Sequence, residues 1–138
     1  MRRATEAPPQ TRTTVGDLLA EARSELERVT PAEAEEAVRG GAALVDIRSD
    51  SQREGDGLLP GARHIPRNVL EWRLDPACEH RDAELARRGR RVILICDEGY
   101  QSSLAAATVR RFGVDATDVE GGFQAWRSAG LPVAGRAE

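Results

Sequence analysis

From Thr14 onward the apolar positions change period repeatedly, and each change marks an element. Val15, Leu18, Leu19, Ala22 and Leu26 recur at helical spacing behind the capping pair Thr14 and Asp17, which predicts an amphipathic helix of about three turns. Arg28 and Val29 suit a very short strand. Thr30, Pro31 and Glu33 are a stronger start signal: the hydroxyl caps, proline takes the first helical position, and the glutamate reaches back to the cap amide. That second helix stops at Gly40 and Gly41. Leu44 to Ile47 reads as a buried strand, and a polar stretch from Ser49 to Gly57 leads into Leu58, Leu59, Pro60 and Gly61, a loop and turn before a strand at Arg63 to Ile65. Pro66 closes it. A short helix is expected over Val69 to Leu74, a loop over Asp75 to His80, and a further helix near Ala83 to Arg88.

Val92, Ile93, Leu94 and Ile95 show no alternation, the pattern of a central parallel strand covered on both faces. After Cys96 to Gln101 comes a helix from about Ser102 to Phe112, with Ala105, Thr108, Val109 and Phe112 on one face; Arg110 and Arg111 complement its dipole and Gly113 ends it. Val114 to Val119 is a further strand, Gly121 and Gly122 a tight turn, and Phe123 to Ala129 a last helix ended by Gly130 and Pro132. Such alternation of strands and helices predicts a three-layer α/β domain with a mostly parallel sheet. Residues 1–13, rich in Pro, Thr and Arg without periodicity, are expected to form a disordered tail ahead of a helical extension at 14–28, and 135–138 a C-terminal tail.

Composition narrows the function. The 138 residues make one domain, with 20 arginines, no lysine, 23 acidic residues and a formal net charge of −3. Arginines spread along the chain and outnumbered by carboxylates argue against a nucleic-acid partner. The longest apolar runs, Val92 to Cys96 and Leu104 to Val109, fall far short of the roughly 20 residues that span a bilayer, and no apolar segment follows Arg2 and Arg3 as a secretory signal would require, so a cytoplasmic, membrane-free protein is expected. Two cysteines make no disulfide framework. Neither His64 nor His80 has a second histidine or a cysteine at ligand spacing, so no metal site is expected.

Candidate chemistry then falls on Cys96. In a parallel α/β sheet, ligands bind beyond the carboxyl ends of the strands, and Cys96 sits where the strand ending at Ile95 meets a helix N-terminus. Unpaired amides and the partial positive charge there favour a thiolate or a bound anion. Gly99 lets the loop Cys96-Asp97-Glu98-Gly99-Tyr100-Gln101 curl so that successive amides point inward. Such a cradle suits a covalent intermediate on sulfur; the competing reading is an inert buried thiol at a strand end.

The segment Cys96 to Ala107, with Leu44-Val45-Asp46-Ile47-Arg48, Pro60-Gly61-Ala62-Arg63-His64-Ile65-Pro66 and Val119-Glu120-Gly121-Gly122-Phe123-Gln124-Ala125-Trp126, resembles a single-domain rhodanese. Each motif alone is weak; four in order and spacing are specific. The resemblance implies a rhodanese-like domain over 29–134 with a central five-stranded sheet flanked by helices, and a sulfurtransferase in which Cys96 accepts a sulfane sulfur as a persulfide and passes it to a thiol or cyanide. It also implies that the amides from Asp97 to Ser102, with Glu98, Gly99, Tyr100 and Gln101 between them, hold the persulfide, aided by the hydroxyls of Ser102 and Ser103, and that neither a metal nor an organic cofactor is needed. The alternative is a non-catalytic rhodanese-like module that docks on, or delivers sulfur to, a protein partner.

Two departures from the family pattern matter. In many thiosulfate-using members the loop is basic, whereas here Asp97, Glu98 and Gln101 occupy it, so a dianionic donor should be penalised and a thiol persulfide favoured over thiosulfate. In cysteine phosphatases of similar architecture an arginine six positions after the cysteine clamps phosphate; here that position is Ser102. Around the loop, Asp46 and Arg48 either brace it from behind or pair at the sheet edge, and Arg67 and Asn68 either contact substrate or cap the helix holding Trp72. Tyr100 walls the pocket, meets a partner or packs over the helix start, Trp72 and Trp126 are expected in the core or its shell, and Cys78 is a loop bystander, a thiol that resolves the Cys96 persulfide or one half of a protective disulfide.

Overall fold

Val92, Ile93, Leu94 and Ile95 are fully buried because β3 (Arg91–Ile95) runs between two parallel neighbours with helices on both faces of the sheet. Those neighbours are β1 (Ala43–Asp46) and β4 (Asp115–Asp118); β2 (Arg63–His64) lies outside β1, giving the order β2-β1-β3-β4 with every pair parallel. The computed structural model describes residues 12–135. The tails expected at 1–13 and 135–138 lie largely outside the described residues.

Alternate residues of β3 feed different cores. Val92 and Leu94 join Val45, Ile65, Leu70, Leu74, Leu85, Ala105 and Val109, the side covered by α4 (Leu70–Leu74) and α5 (Gln101–Arg110). Ile93 and Ile95 join Ala34, Leu44, Phe123 and Trp126, beneath α2 (Pro31–Arg39) and α6 (Gly122–Ser128). Burying side chains of this size is worth about 1.5–3 kcal/mol each, which is why an unalternating run becomes the middle strand of three layers. Helix α1 (Val15–Ser24) packs outside this frame against α5. Thr14 with Asp17, and Thr30 with Glu33, form the capping boxes that the sequence predicts.

Several expectations need correction. Among the described residues the sheet has four strands, and the fifth is reduced to a single parallel bridge between Val29 and Val119. Val29 donates to the Asp118 carbonyl and accepts from the Glu120 amide, but Thr30 caps a helix and Pro31 has no N–H, so the ladder cannot continue. The polar stretch after β1, for which the pattern predicts no element, contains α3 (Asp50–Asp56), opened by a capping box between Ser49 and Gln52. The helix expected over Ala83 to Arg88 is a turn: the Asp82 side chain accepts from the amides of Glu84 and Leu85, Arg63 pairs with Asp82 and Glu84, and Gly89 turns the chain at φ +80°. Trp126 is in the core, whereas Trp72 is 57% exposed.

Candidate active site

Cys96 leaves the carboxyl end of β3 7% exposed. Its Sγ accepts two backbone N–H groups, from Gly99 at 3.2 Å and from Ser102 at 3.4 Å, the latter in the first turn of α5. The loop curls because Gly99 adopts φ +86°, where a β-carbon would come within 2.7 Å of the Gly121 nitrogen.

A second helix grips the loop from the other side. The first two loop carbonyls accept from the start of α6: Cys96 O from the Phe123 amide at 2.8 Å and Asp97 O from the Gln124 amide at 3.0 Å. Gly122 makes this approach possible, since at its φ of +58° a β-carbon would lie 2.5 Å from Cys96 O. The Gln124 side chain also donates to Asp97 Oδ1 at 2.9 Å. The loop is therefore held between the N-termini of α5 and α6.

Beneath it lies Asp118, fully buried at the end of β4. One of its carboxylate oxygens accepts the hydroxyls of Ser102 at 2.7 Å and Ser103 at 2.9 Å, and the carboxylate also pairs with Arg28, whose Nε stands 2.9 Å from Oδ1. The hydroxyls expected to face the sulfur thus point into the protein, and Ser102 addresses Cys96 through its backbone alone. Asp118, Arg28, Arg23 and Gln124 were missed in the sequence. An acidic residue within a strand that buries its neighbours signals a buried cation, because a lone carboxylate cannot be left there.

In front of the sulfur opens a cavity of about 750 Å³, whose wall includes Cys96, Asp97, Glu98, Tyr100, Gln101, Arg48, Arg67 and Asn68. Asp97 is half-buried, while Glu98 and the Tyr100 ring are exposed. Arg48 is 1% exposed and bidentate to Asp46 at 3.0 and 2.9 Å; it also donates to the Gly57 carbonyl and lies 4.0 Å from the Phe123 ring centroid. Asp46 and Arg48 therefore join the strand end, α3 and α6 behind the cavity. Arg67 pairs with Glu71 at 2.9 Å, and the short 3₁₀ turn at Arg67–Val69 and α4 have no side-chain cap, so Asn68 does not cap. Both cysteines are free thiols; Cys78 sits in a turn where its sulfur accepts the His80 amide, and it takes no part in the cavity wall. Among the described residues no group of three or more His, Cys, Asp or Glu is placed to hold a metal ion, and no helix is long and apolar enough to cross a membrane.

Comparison with known proteins agrees with this geometry. Residues 30–129 match the model of the rhodanese-like domain family. A relative from Ectopseudomonas mendocina, the thiosulfate sulfurtransferase GlpE, is 32% identical over 76% of this chain and 88% of its own; its counterpart from Pseudomonas putida is 35% identical over the same shares. Among solved structures, a Rhodopseudomonas palustris protein of unknown function, described as a possible tyrosine phosphatase, superposes with a TM-score of 0.81 at 32% identity, over 93% of this chain and 99% of that one. A rhodanese-related protein from Thermoplasma volcanium shares the fold, with a TM-score of 0.62 at 23% identity over 78% of this chain and 96% of its own.

Proposed function

This chain belongs to the rhodanese-like domain family and is a rhodanese-type sulfurtransferase, and from that premise we propose that it works through a persulfide carried on Cys96. The observation that carries the reading is the pair of amides, from Gly99 and Ser102, aimed at a sulfur that opens onto a cavity.

The Cys96 thiolate attacks the outer sulfur of a donor persulfide; the donor's S–S bond breaks and its electron pair leaves with the donor thiolate. Cys96 then carries S–SH, whose outer sulfur an acceptor thiolate or cyanide attacks, returning the electron pair to the Cys96 sulfur. Each half-reaction exchanges one S–S bond for another or for an S–C bond, so no external oxidant enters. The inward amides between Asp97 and Ser102 hold the added sulfur's negative charge without moving when it arrives, which is the economy of a preorganised site.

The donor follows from charge at the cavity. Asp97, Glu98 and Asp50 line it, and its two arginines are engaged, Arg48 by Asp46 and Arg67 by Glu71. Thiosulfate concentrates two negative charges on its few atoms at the reacting sulfur and a thiol persulfide places at most one on its S–SH group, so we favour the persulfide. A protein thiol is a fitting acceptor, because the apolar Val69 and Trp72, exposed by 39% and 57%, stand on an adjoining cleft that shares Pro66 and Asn68 with the Cys96 cavity. A reducing cytoplasm keeps Cys96 available as a thiol.

Phosphatase chemistry is disfavoured because Ser102, not an arginine, stands six residues after Cys96. The discriminating experiment supplies cyanide with either thiosulfate or glutathione persulfide, and separately an aryl phosphate. Thiocyanate should form faster from the persulfide and the aryl phosphate should remain intact; hydrolysis of the phosphate without thiocyanate overturns the reading.

A further inference from the structure

The loop from Cys96 to Ser103 contains no cationic side chain of its own, yet two guanidinium groups meet at its crest. Arg23 Nη2 donates to the Gly99 carbonyl at 2.8 Å and Arg28 Nη2 to the same oxygen at 2.9 Å. Both arginines precede the segment matched by the family model, which begins at residue 30. Arg23 lies on α1 and Arg28 on the connection after it. The Rhodopseudomonas likeness spans 93% of the chain, more than residues 30–138 could supply, so it takes in part of this N-terminal segment.

Resting on the persulfide reading above, we propose that Arg23, assisted by Arg28, is a positioning residue for sulfur transfer, pinning the Gly99 carbonyl so that the loop amides stay aimed at the Cys96 sulfur. Arg23 touches three positions around the nucleophile with one side chain: the Gly99 carbonyl, Ser103 Oγ at 3.1 Å, and the Tyr100 ring, whose centroid lies 5.8 Å from its guanidinium carbon. Arg28 closes the circuit through Asp118, which accepts the Ser103 hydroxyl that Arg23 also holds. The Gly99 carbonyl lies in the Gly99–Tyr100 peptide plane and the N–H that reaches the sulfur at 3.2 Å in the Glu98–Gly99 plane, so with only the φ and ψ of Gly99 between them, holding the carbonyl restrains the amide's direction through those two torsions. Glycine has the widest conformational freedom of any residue, so a hold on the Gly99 carbonyl adds to the contacts from α5 and α6 by limiting the torsions of the one loop residue at positive φ.

Electrostatics act in the same direction. Both guanidinium groups contact the loop through its outward carbonyl; the charge of Arg28 is balanced by Asp118, so the positive charge that favours an anion on the sulfur is that of Arg23 on α1, while the carboxylates of Asp97 and Glu98 face the cavity. The N-terminal helix thus supplies from behind the charge that the loop lacks in front.

The test compares Arg23→Ala, Arg23→Lys and Arg39→Ala, the last removing an exposed pair with Glu35 on α2, all in a Cys78→Ser background so that Cys96 is the only thiol. Two readouts are taken: the rate of Cys96 alkylation by iodoacetamide, and kcat and KM for sulfur transfer from glutathione persulfide to cyanide. Loss of the charge-assisted hydrogen bond to the Gly99 carbonyl corresponds to roughly a 10-fold effect and loss of the Ser103 contact adds to it, so Arg23→Ala should lower kcat and the alkylation rate by about 10-fold or more with little change in KM. Arg23→Lys should recover part of the loss and Arg39→Ala none of it. Arg23→Gln, which removes the guanidinium and its charge while keeping a polar chain, carries the same test if Arg23→Ala fails to fold. Alkylation and kcat equal to wild type in folded Arg23→Ala, or in Arg23→Gln when that substitute is used, overturn the positioning role. Absence of sulfur transfer in the unsubstituted protein overturns instead the sulfurtransferase reading, and the alkylation rates still decide the role of Arg23.

Discussion

The Asp118 carboxylate accepts the Ser102 hydroxyl at 2.7 Å, while the amide of that same serine points at the Cys96 sulfur from 3.4 Å. A buried charge at the end of β4 therefore orients the first turn of α5. With Arg28 paired to the same carboxylate, Asp118→Asn removes one member of a buried ion pair and should cost about 3–5 kcal/mol. Urea unfolding checks it; an unchanged midpoint would show that the pair holds nothing in place.

Gly122 is where α6 touches the loop. In Gly122→Ala the new methyl collides with the Cys96 carbonyl at 2.5 Å, and backbone atoms on both sides must shift. A displacement of about 1 Å at the reacting atom is worth roughly 100-fold in rate, so kcat should fall by about that much. Steady-state thiocyanate formation measures it.

Donor preference should follow the charge on residue 97. Asp97→Asn keeps an oxygen for Gln124 to donate to and removes one negative charge from the cavity wall. About 1 kcal/mol of relieved repulsion, the value for unit charges at 4 Å in water, corresponds to roughly a 5-fold rise in kcat/KM for thiosulfate, and less for a thiol persulfide. Glu98→Gln should do less, because Glu98 is exposed and screened. The ratio of kcat/KM for the two donors, taken at low and high salt, is the measurement.

Ser49 opens α3, which supplies Asp50 and Gln52 to the cavity wall. Ser49→Ala removes one side of a capping box and should lower stability by about 1 kcal/mol, read from the thermal unfolding midpoint.

The elements that position Cys96 were legible because they follow local rules. The unbroken run Val92 to Ile95 could only be a strand with helices on both faces, and Thr30-Pro31 with Glu33 could only start a helix. Ser49 and Gln52 carried the same kind of signal and were masked by the polarity of their neighbours, since α3 buries no side chain and shows no apolar stripe. Ala83 to Arg88 misled in the opposite sense: Leu85 and Ala86 are buried as a helix face would be, but Asp82 and Arg63, distant in sequence, close the segment as a turn. The nucleophile and its loop were legible from strand-to-helix context. The Arg28–Asp118 pair spans 90 residues, and the Arg23 contact to Gly99 spans 76, so nothing in the local pattern could join them. What Asp118 did carry was the need of a buried carboxylate for a partner.

The most direct test of the account is the intact mass of the protein after incubation with glutathione persulfide or thiosulfate, compared with Cys96→Ser. The account predicts a gain of one sulfur atom in the wild-type chain, removed on adding cyanide, and no gain in Cys96→Ser. A cyanide-labile sulfur retained in Cys96→Ser, or none in the wild-type chain with either donor, would contradict it.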